Sequence, residues 1–284
     1  MTRSFHHSAA LALLASLATL AASPRASAQG KVDAHYTASL AGVPVGKGGW
    51  VIEIGDEQYM SATSGVTTGL LRVFASGEGT GIARGYVSNG TLVPSAYAAT
   101  ITADKKTEEM RMTIVGGVVK DLSVDPIIPP HPERIPVTES HYHGIVDPMT
   151  GSLLRVPGTG NLMSPDACNN RTTSIFDGRM RYDITVAYKR MEEVKSEKGY
   201  SGPAVACAVY FNPVAGYIPG RAAIKYLTAQ RDMEVWMVPV AGTRIVVPYR
   251  IAIPTPLGTA ALQATQFVTT AQPPRLSPTS IKGQ

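Results

Sequence analysis

The stretch Val32-Asp33-Ala34-His35-Tyr36-Thr37-Ala38-Ser39-Leu40 alternates apolar and polar residues without a break. Period two belongs to a strand with one face in a core and the other in water. A helix would need apolar residues three and four apart. The same rhythm returns where Met110, Met112 and Ile114 alternate with Glu109, Arg111 and Thr113. Between such segments lie hairpin signals. Asn89-Gly90 separates 85–88 from 91–102 and supplies the positive φ angles of a type I′ turn, and Asp177-Gly178 and Ala241-Gly242 read as further turns. Gly77, Gly79, Gly81 and Gly85 leave bare backbone along one strand, which suits sharp curvature or close packing against a neighbour. The fold class these patterns imply is mainly β: a single strongly curved antiparallel sheet, an open barrel or a spiral, with a short helical insert.

The middle of the chain breaks the pattern. Residues 125–136 hold five prolines and cannot join a central strand, so they read as a linker or an extended crossing. Thr138-Glu139-Ser140-His141 offers a helix start and Asp147-Pro148 breaks that segment, so the helical insert is placed at about 138–156, plugging one end of the curved sheet. Residues 29–270 then form one curved β domain. The polar stretch 271–284, with Pro273, Pro274 and Pro278, reads as a flexible tail.

At the other end, Arg3, His6 and His7 precede an apolar run from Ala9 to Ala22, and Ala26-Ser27-Ala28 closes it. Charge, run length and small residues together read as a secretory signal peptide over 1–28, cleaved after Ala28. The rival reading, a buried N-terminal helix, leaves the charge and the cleavage pattern unexplained. The run is short of the roughly 20 residues needed to span a bilayer, and no later run approaches that length, so the mature chain is expected in the periplasm without a transmembrane segment. Export carries Cys168 and Cys207 to a compartment where disulfides persist, and they are expected to bond; the alternative is two buried thiols packed as small hydrophobes.

The whole chain carries 26 basic and 21 acidic residues; loss of Arg3 and Arg25 leaves 24 against 21. The basic residues are scattered, with no dense block and no interleaved aromatics, which argues against nucleic-acid binding.

Three motifs together resemble a known family. Val146-Asp147-Pro148-Met149-Thr150 comes after the proline-rich crossing, Phe176-Asp177-Gly178-Arg179-Met180-Arg181-Tyr182-Asp183 comes after a cysteine, and Cys207 precedes Tyr210-Phe211-Asn212-Pro213-Val214-Ala215-Gly216-Tyr217. The chain resembles the DUF3108 family of exported bacterial proteins from the strand at Val32 to the one ending near Val268. That family is named for its lack of known function. The resemblance implies a curved antiparallel sheet similar in outline to lipoprotein carriers of the LolA and LolB type and to spiral envelope-integrity proteins. Fold analogy transfers neither activity.

Candidate sites are few. After the Asp177-Gly178 turn, Met180, Tyr182 and Ile184 share one strand face while Arg179, Arg181 and Asp183 share the other. Asp177, Arg179, Arg181 and Asp183 are read either as a hairpin with a surface charge ladder or as a patch binding an anionic head group or a partner's carboxylate. His131, His141 and His143 raise a metal, but in a short helix His141 and His143 point about 200° apart, so no metal or other cofactor is assigned. No Gly-x-Ser-x-Gly, Ser-x-x-Lys or His-Glu-x-x-His is present, and no catalytic residue is assigned. Gly42 to Gly48 falls one residue short of a phosphate loop, and the glycines at 77–81 fail as a dinucleotide fingerprint.

Three readings of function stand. The first is a non-catalytic carrier or sensor enclosing a hydrophobic or lipid-like ligand. The second is a structural or protein-interaction component of the envelope, with the sheet's hollow filled by its own side chains. The third is a hydrolase with an unrecognised site.

Overall fold

The period-two stretch forms the first strand. In the computed structural model, which describes residues 29–68 and 77–272, β1 (Gly30–Leu40) turns Val32, Ala34 and Tyr36 inward and buries all three. The expected signal segment 1–28 and residues 273–284 of the expected tail lie outside the described residues.

Antiparallel hairpins continue through β2 (Val43–Ile54), β3 (Gln58–Thr67), β4 (Gly77–Ser88), β5 (Thr91–Ala103), β6 (Lys106–Val115) and β7 (Val118–Asp125). Asn89 and Gly90 both have positive φ, as the expected turn between β4 and β5 requires. Three further tips use the same left-handed pairs without an Asn-Gly signal: Ala41-Gly42, Asp104-Lys105 and Gly116-Gly117. On β6, Met110, Met112 and Ile114 all point inward and are buried.

The second half comprises β8 (Leu154–Arg155), β9 (Arg171–Phe176), β10 (Arg181–Lys195), β11 (Lys198–Gly199), β12 (Ser201–Ala215), β13 (Glu234–Pro239), β14 (Ile245–Thr255) and β15 (Gly258–Ala271). All fifteen described strands belong to one sheet, ordered β7-β6-β5-β4-β3-β2-β1-β15-β14-β13-β12-β10-β9, with β11 beside β15 and β8 beside β14. Every strand pair but β11 with β15 is antiparallel. Register shifts in β1, β4, β6, β10 and β13 add local twist. At the β4 shift, Gly85 is required, because a Cβ there would lie 2.0 Å from the Val93 carbonyl oxygen.

The sheet is not closed by a strand ladder. Its edges, β7 and β9, approach each other across a short segment of the insert. Ile145 N–H donates to Gly117 O at 3.1 Å, Val146 N–H donates to Ser174 O at 2.9 Å, and Phe176 N–H donates to Val146 O at 3.0 Å. Within the expected 138–156 insert lie a 3-10 turn at Glu139–Tyr142, the four-residue helix α1 (Pro148–Gly151) and the two residues of β8. The proline-rich crossing ends pinned to the sheet: Ile135 N–H donates to Tyr217 O, and Gly216 N–H donates to Ile135 O. A second helix, α2 (Ala222–Ala229), carries no buried residue and lies where no sequence signal placed one.

Strands β12 to β14 are buried on both faces. Ala204, Ala206, Trp236, Val238 and Tyr249 meet the interior, while Val205, Cys207, Val235, Met237 and Val246 pack beneath an outer cover running from Leu154 to Cys168. The Cys168–Cys207 disulfide fastens that cover to β12, with Cα atoms 6.0 Å apart.

Candidate functional site

Packing does not fill the interior evenly. The end near the β4–β5 turn is occupied by Ile52, Ile54, Tyr59, Leu92 and Leu153, all buried. Toward the other end, the inward positions of β2, β3 and β4 are mostly glycine or threonine: Gly46, Gly48, Thr63, Gly65, Thr67, Gly77, Gly79 and Gly81. With so little side chain on this wall, a hollow of about 580 Å³ remains. Trp50, Tyr97, Ile101, Leu262 and Met149 supply its apolar surface. The volume lies in the range of sites for small organic ligands, roughly 300–1,000 Å³.

Met149 reaches the hollow because α1 projects it there. Asp147 caps the helix: its Oδ1 accepts the N–H groups of Met149 and Thr150, each at 2.9 Å, and its Oδ2 accepts the Thr150 hydroxyl. Tyr59 closes the chain, its hydroxyl 2.6 Å from Thr150 Oγ1. Asp147 is fully buried, and desolvation raises its pKa against the opposing pull of these hydrogen bonds. Burial likewise raises the tyrosine hydroxyls of Tyr59, Tyr97 and Tyr182. The arrangement anchors a floor beneath the hollow, with the Thr150 hydroxyl held between Asp147 and Tyr59.

A second, larger cleft of about 860 Å³ opens where His35, Lys47, Ser64, Glu78 and Thr80 project from the opposite face of the same strands. Its charges are of both signs and exposed, so it orients no single ligand class. The inner hollow is the better candidate because its surface is predominantly apolar and it has a built floor.

The four residues of the charged motif lie at the closure of the sheet. Asp177 forms the turn, its Oδ1 accepting the N–H groups of Arg179 and Met180 at 2.8 and 2.7 Å, and burial raises its pKa. Arg179 reaches across to Glu108 on β6 at 3.3 Å and to the Pro126 carbonyl. Arg181 pairs with Asp183 at 2.6 Å, and Asp183 also accepts the Ser174 hydroxyl. Each charge in the motif therefore has a partner within the protein. Arg181 and Asp183 do share a face; Arg179 belongs to the turn, since the strand begins at Arg181.

His141 turns its Nδ1 back to the Thr138 N–H at 3.0 Å, and His143 pairs with Val118 through its backbone. Among the described residues no cluster of three or more His, Cys, Asp and Glu side chains is placed to hold a metal. None of the described helices is long and apolar enough to cross a membrane.

A family model described as "Protein of unknown function (DUF3108)" matches residues 34–265. No curated protein matches the chain. Among solved structures, the beta-barrel-like protein of domain of unknown function DUF1849 from Brucella abortus is similar at 9% identity and a TM-score of 0.45, with 86% of this chain and 99% of that one covered.

Proposed function

This chain belongs to the DUF3108 family, and from that premise we propose that it is a non-catalytic periplasmic protein holding a hydrophobic or lipid-like ligand in the hollow of its curved sheet. The observation that carries the reading is the glycine wall. Glycine weakens a strand interior by giving up packing surface. Six inward glycines, Gly46, Gly48, Gly65, Gly77, Gly79 and Gly81, lie in three adjacent strands. A Cβ at Gly48 would lie 2.8 Å from the Ser64 carbonyl oxygen and one at Gly81 3.2 Å from Met149 Sδ. At Gly65, Gly77 and Gly79 it would meet nothing closer than 3.4 Å and would face open space lined by Trp50, Tyr97, Ile101 and Met149. A sheet meant only to fill itself would place Val, Ile or Leu there, as β13 and β14 do with Val238 and Val247.

Native mass spectrometry of the chain purified from its own periplasm, with solvent extraction of the same sample, tests the reading. A bound apolar molecule is expected; repeated absence of any such molecule counts against it.

A second reading, a structural element of the envelope, draws on the other end of the molecule, where Leu92, Leu153 and Tyr59 fill the interior. It expects a protein partner captured by crosslinking in intact cells and no ligand in the extract.

A further inference from the structure

All 21 carboxylate side chains of the chain lie within the described residues. Two half-buried arginines, Arg155 and Arg171, nevertheless form no ion pair with any of them. They lie near the β4–β5 turn, at the end of the sheet away from the hollow. Arg155 closes β8, and its Nε is buried without a hydrogen-bond partner. Arg171 opens β9 and sends its guanidinium to the backbone carbonyl of Arg155. The two positive groups are thus neighbours. Burial and then the charge of Arg155 push Arg171 below the usual guanidinium range.

Buried charges in proteins are normally paired, because desolvation without a counter-charge is costly. Here a like-charged pair is held in place on several sides. The backbone of β8 pairs with β14, Arg155 lying opposite Ile245. Arg171 lies three residues beyond Cys168, which the disulfide fixes to β12. The hairpin tip at Gly90 supplies another wall, where a Cβ would come within 3.4 Å of Arg155 Nε. Nearby, Arg244 spends its donors on the carbonyls of Val156, Pro157 and Gly160, adding positive charge while bracing the loop.

We propose that Arg155 and Arg171 form a binding site for a phosphate group, distinct from the apolar hollow. A phosphate suits the pair better than a carboxylate because it carries close to two negative charges near neutral pH and enough oxygens to engage two guanidinium forks. Free inorganic phosphate and a lipid head group share this chemistry, and the test separates them.

Thermal unfolding of the mature chain is followed in sodium phosphate and in sodium chloride of equal ionic strength, with affinity measured by calorimetric titration of inorganic phosphate. Phosphate is expected to raise the midpoint where chloride does not. Arg155→Gln and Arg171→Gln should each weaken phosphate affinity by about tenfold or more, the scale of one lost charge-assisted hydrogen bond. Both variants relieve like-charge repulsion and should fold. Should either fail to fold, phosphate-31 line broadening on the unaltered chain decides. Equal effects of phosphate and chloride, or affinity that survives both substitutions, overturns the proposal. Co-sedimentation with vesicles of phosphatidylcholine containing phosphatidic acid, lost in the same variants, assigns the group to a lipid; phosphate binding without co-sedimentation assigns it to a soluble ligand.

Discussion

Removing the Cys168–Cys207 crosslink is the perturbation whose size can be worked most directly from the fold. The bridge closes a loop with a sequence separation of 39. In the chain-entropy model a loop of that length restricts the unfolded chain by about 4 kcal/mol. Both sulfurs are buried among Leu154, Val156, Val186, Val205 and Met237, so the reduced thiols keep nearly the same packing and the loss isolates the crosslink. Urea unfolding of the chain, with and without excess reductant, reads it out. With a urea dependence of about 2–3 kcal/mol per molar, the midpoint should fall by on the order of 1–2 M. Cys168→Ala with Cys207→Ala should fall further, by about 1–2 kcal/mol, because the sulfur volume is lost from a packed cluster. Coincident midpoints for oxidised and reduced protein would refute the reasoning, since the outer cover would then hold to β12 without its staple.

Three further outcomes are expected. Gly65→Leu should abolish uptake of an apolar fluorescent probe while shifting the unfolding midpoint little. Its Cβ would meet only the Lys47 carbonyl, at 3.6 Å, and the side chain would occupy the hollow; undiminished probe binding contradicts the ligand reading. Asp147→Ala should cost about 3–5 kcal/mol by orphaning two N–H groups and the Thr150 hydroxyl in a buried site, whereas Asp147→Asn, which keeps an acceptor, should cost less. Because burial raises the folded pKa of Asp147 above its unfolded value, its contribution to stability is fullest below the ordinary carboxylate range and is lost as pH rises from that range through the raised folded value. Asp147→Asn should flatten that part of the pH profile of unfolding. Glu234 has the opposite sign: hydrogen bonds from Arg190 and Lys189 lower its pKa to about 2, so its contribution is present above the usual value near 4.5 and is lost as pH falls toward 2. Glu234→Gln should therefore destabilise by about 1 kcal/mol at pH 7 and converge with the parent near pH 2.

The strands were legible wherever one face met water. Val32 to Leu40 and Met110 to Ile114 announce themselves by alternation, and Asn89-Gly90 by the φ angles only such residues adopt cheaply. Strand β12 was harder, because Ala204 to Ala208 are buried on both faces and no alternation survives. Turns at Ala41-Gly42 and Asp104-Lys105 carried no strong signal, since the pairing of their flanking strands imposes the left-handed conformation. The charged motif gave its turn away through Asp177-Gly178. Its partners could not be read, because Glu108 lies on β6, across the gap between the sheet edges.

The glycine series at 77, 79 and 81 shows the division most clearly. Sequence alone determined that this strand presents bare backbone on one side, and that the chain forms a curved antiparallel sheet, because both are consequences of local spacing. Whether that side meets a packed neighbour or empty space depended on what the rest of the chain brings opposite it. Gly85 faces the Val93 carbonyl and must be glycine to pack, whereas Gly79 faces the hollow beside Ile101. The same holds for Arg155 and Arg171: their charge is written in the sequence, but their lack of a carboxylate partner is a property of distances across the fold. Only tertiary structure decides those distances, because they join residues that no local periodicity relates.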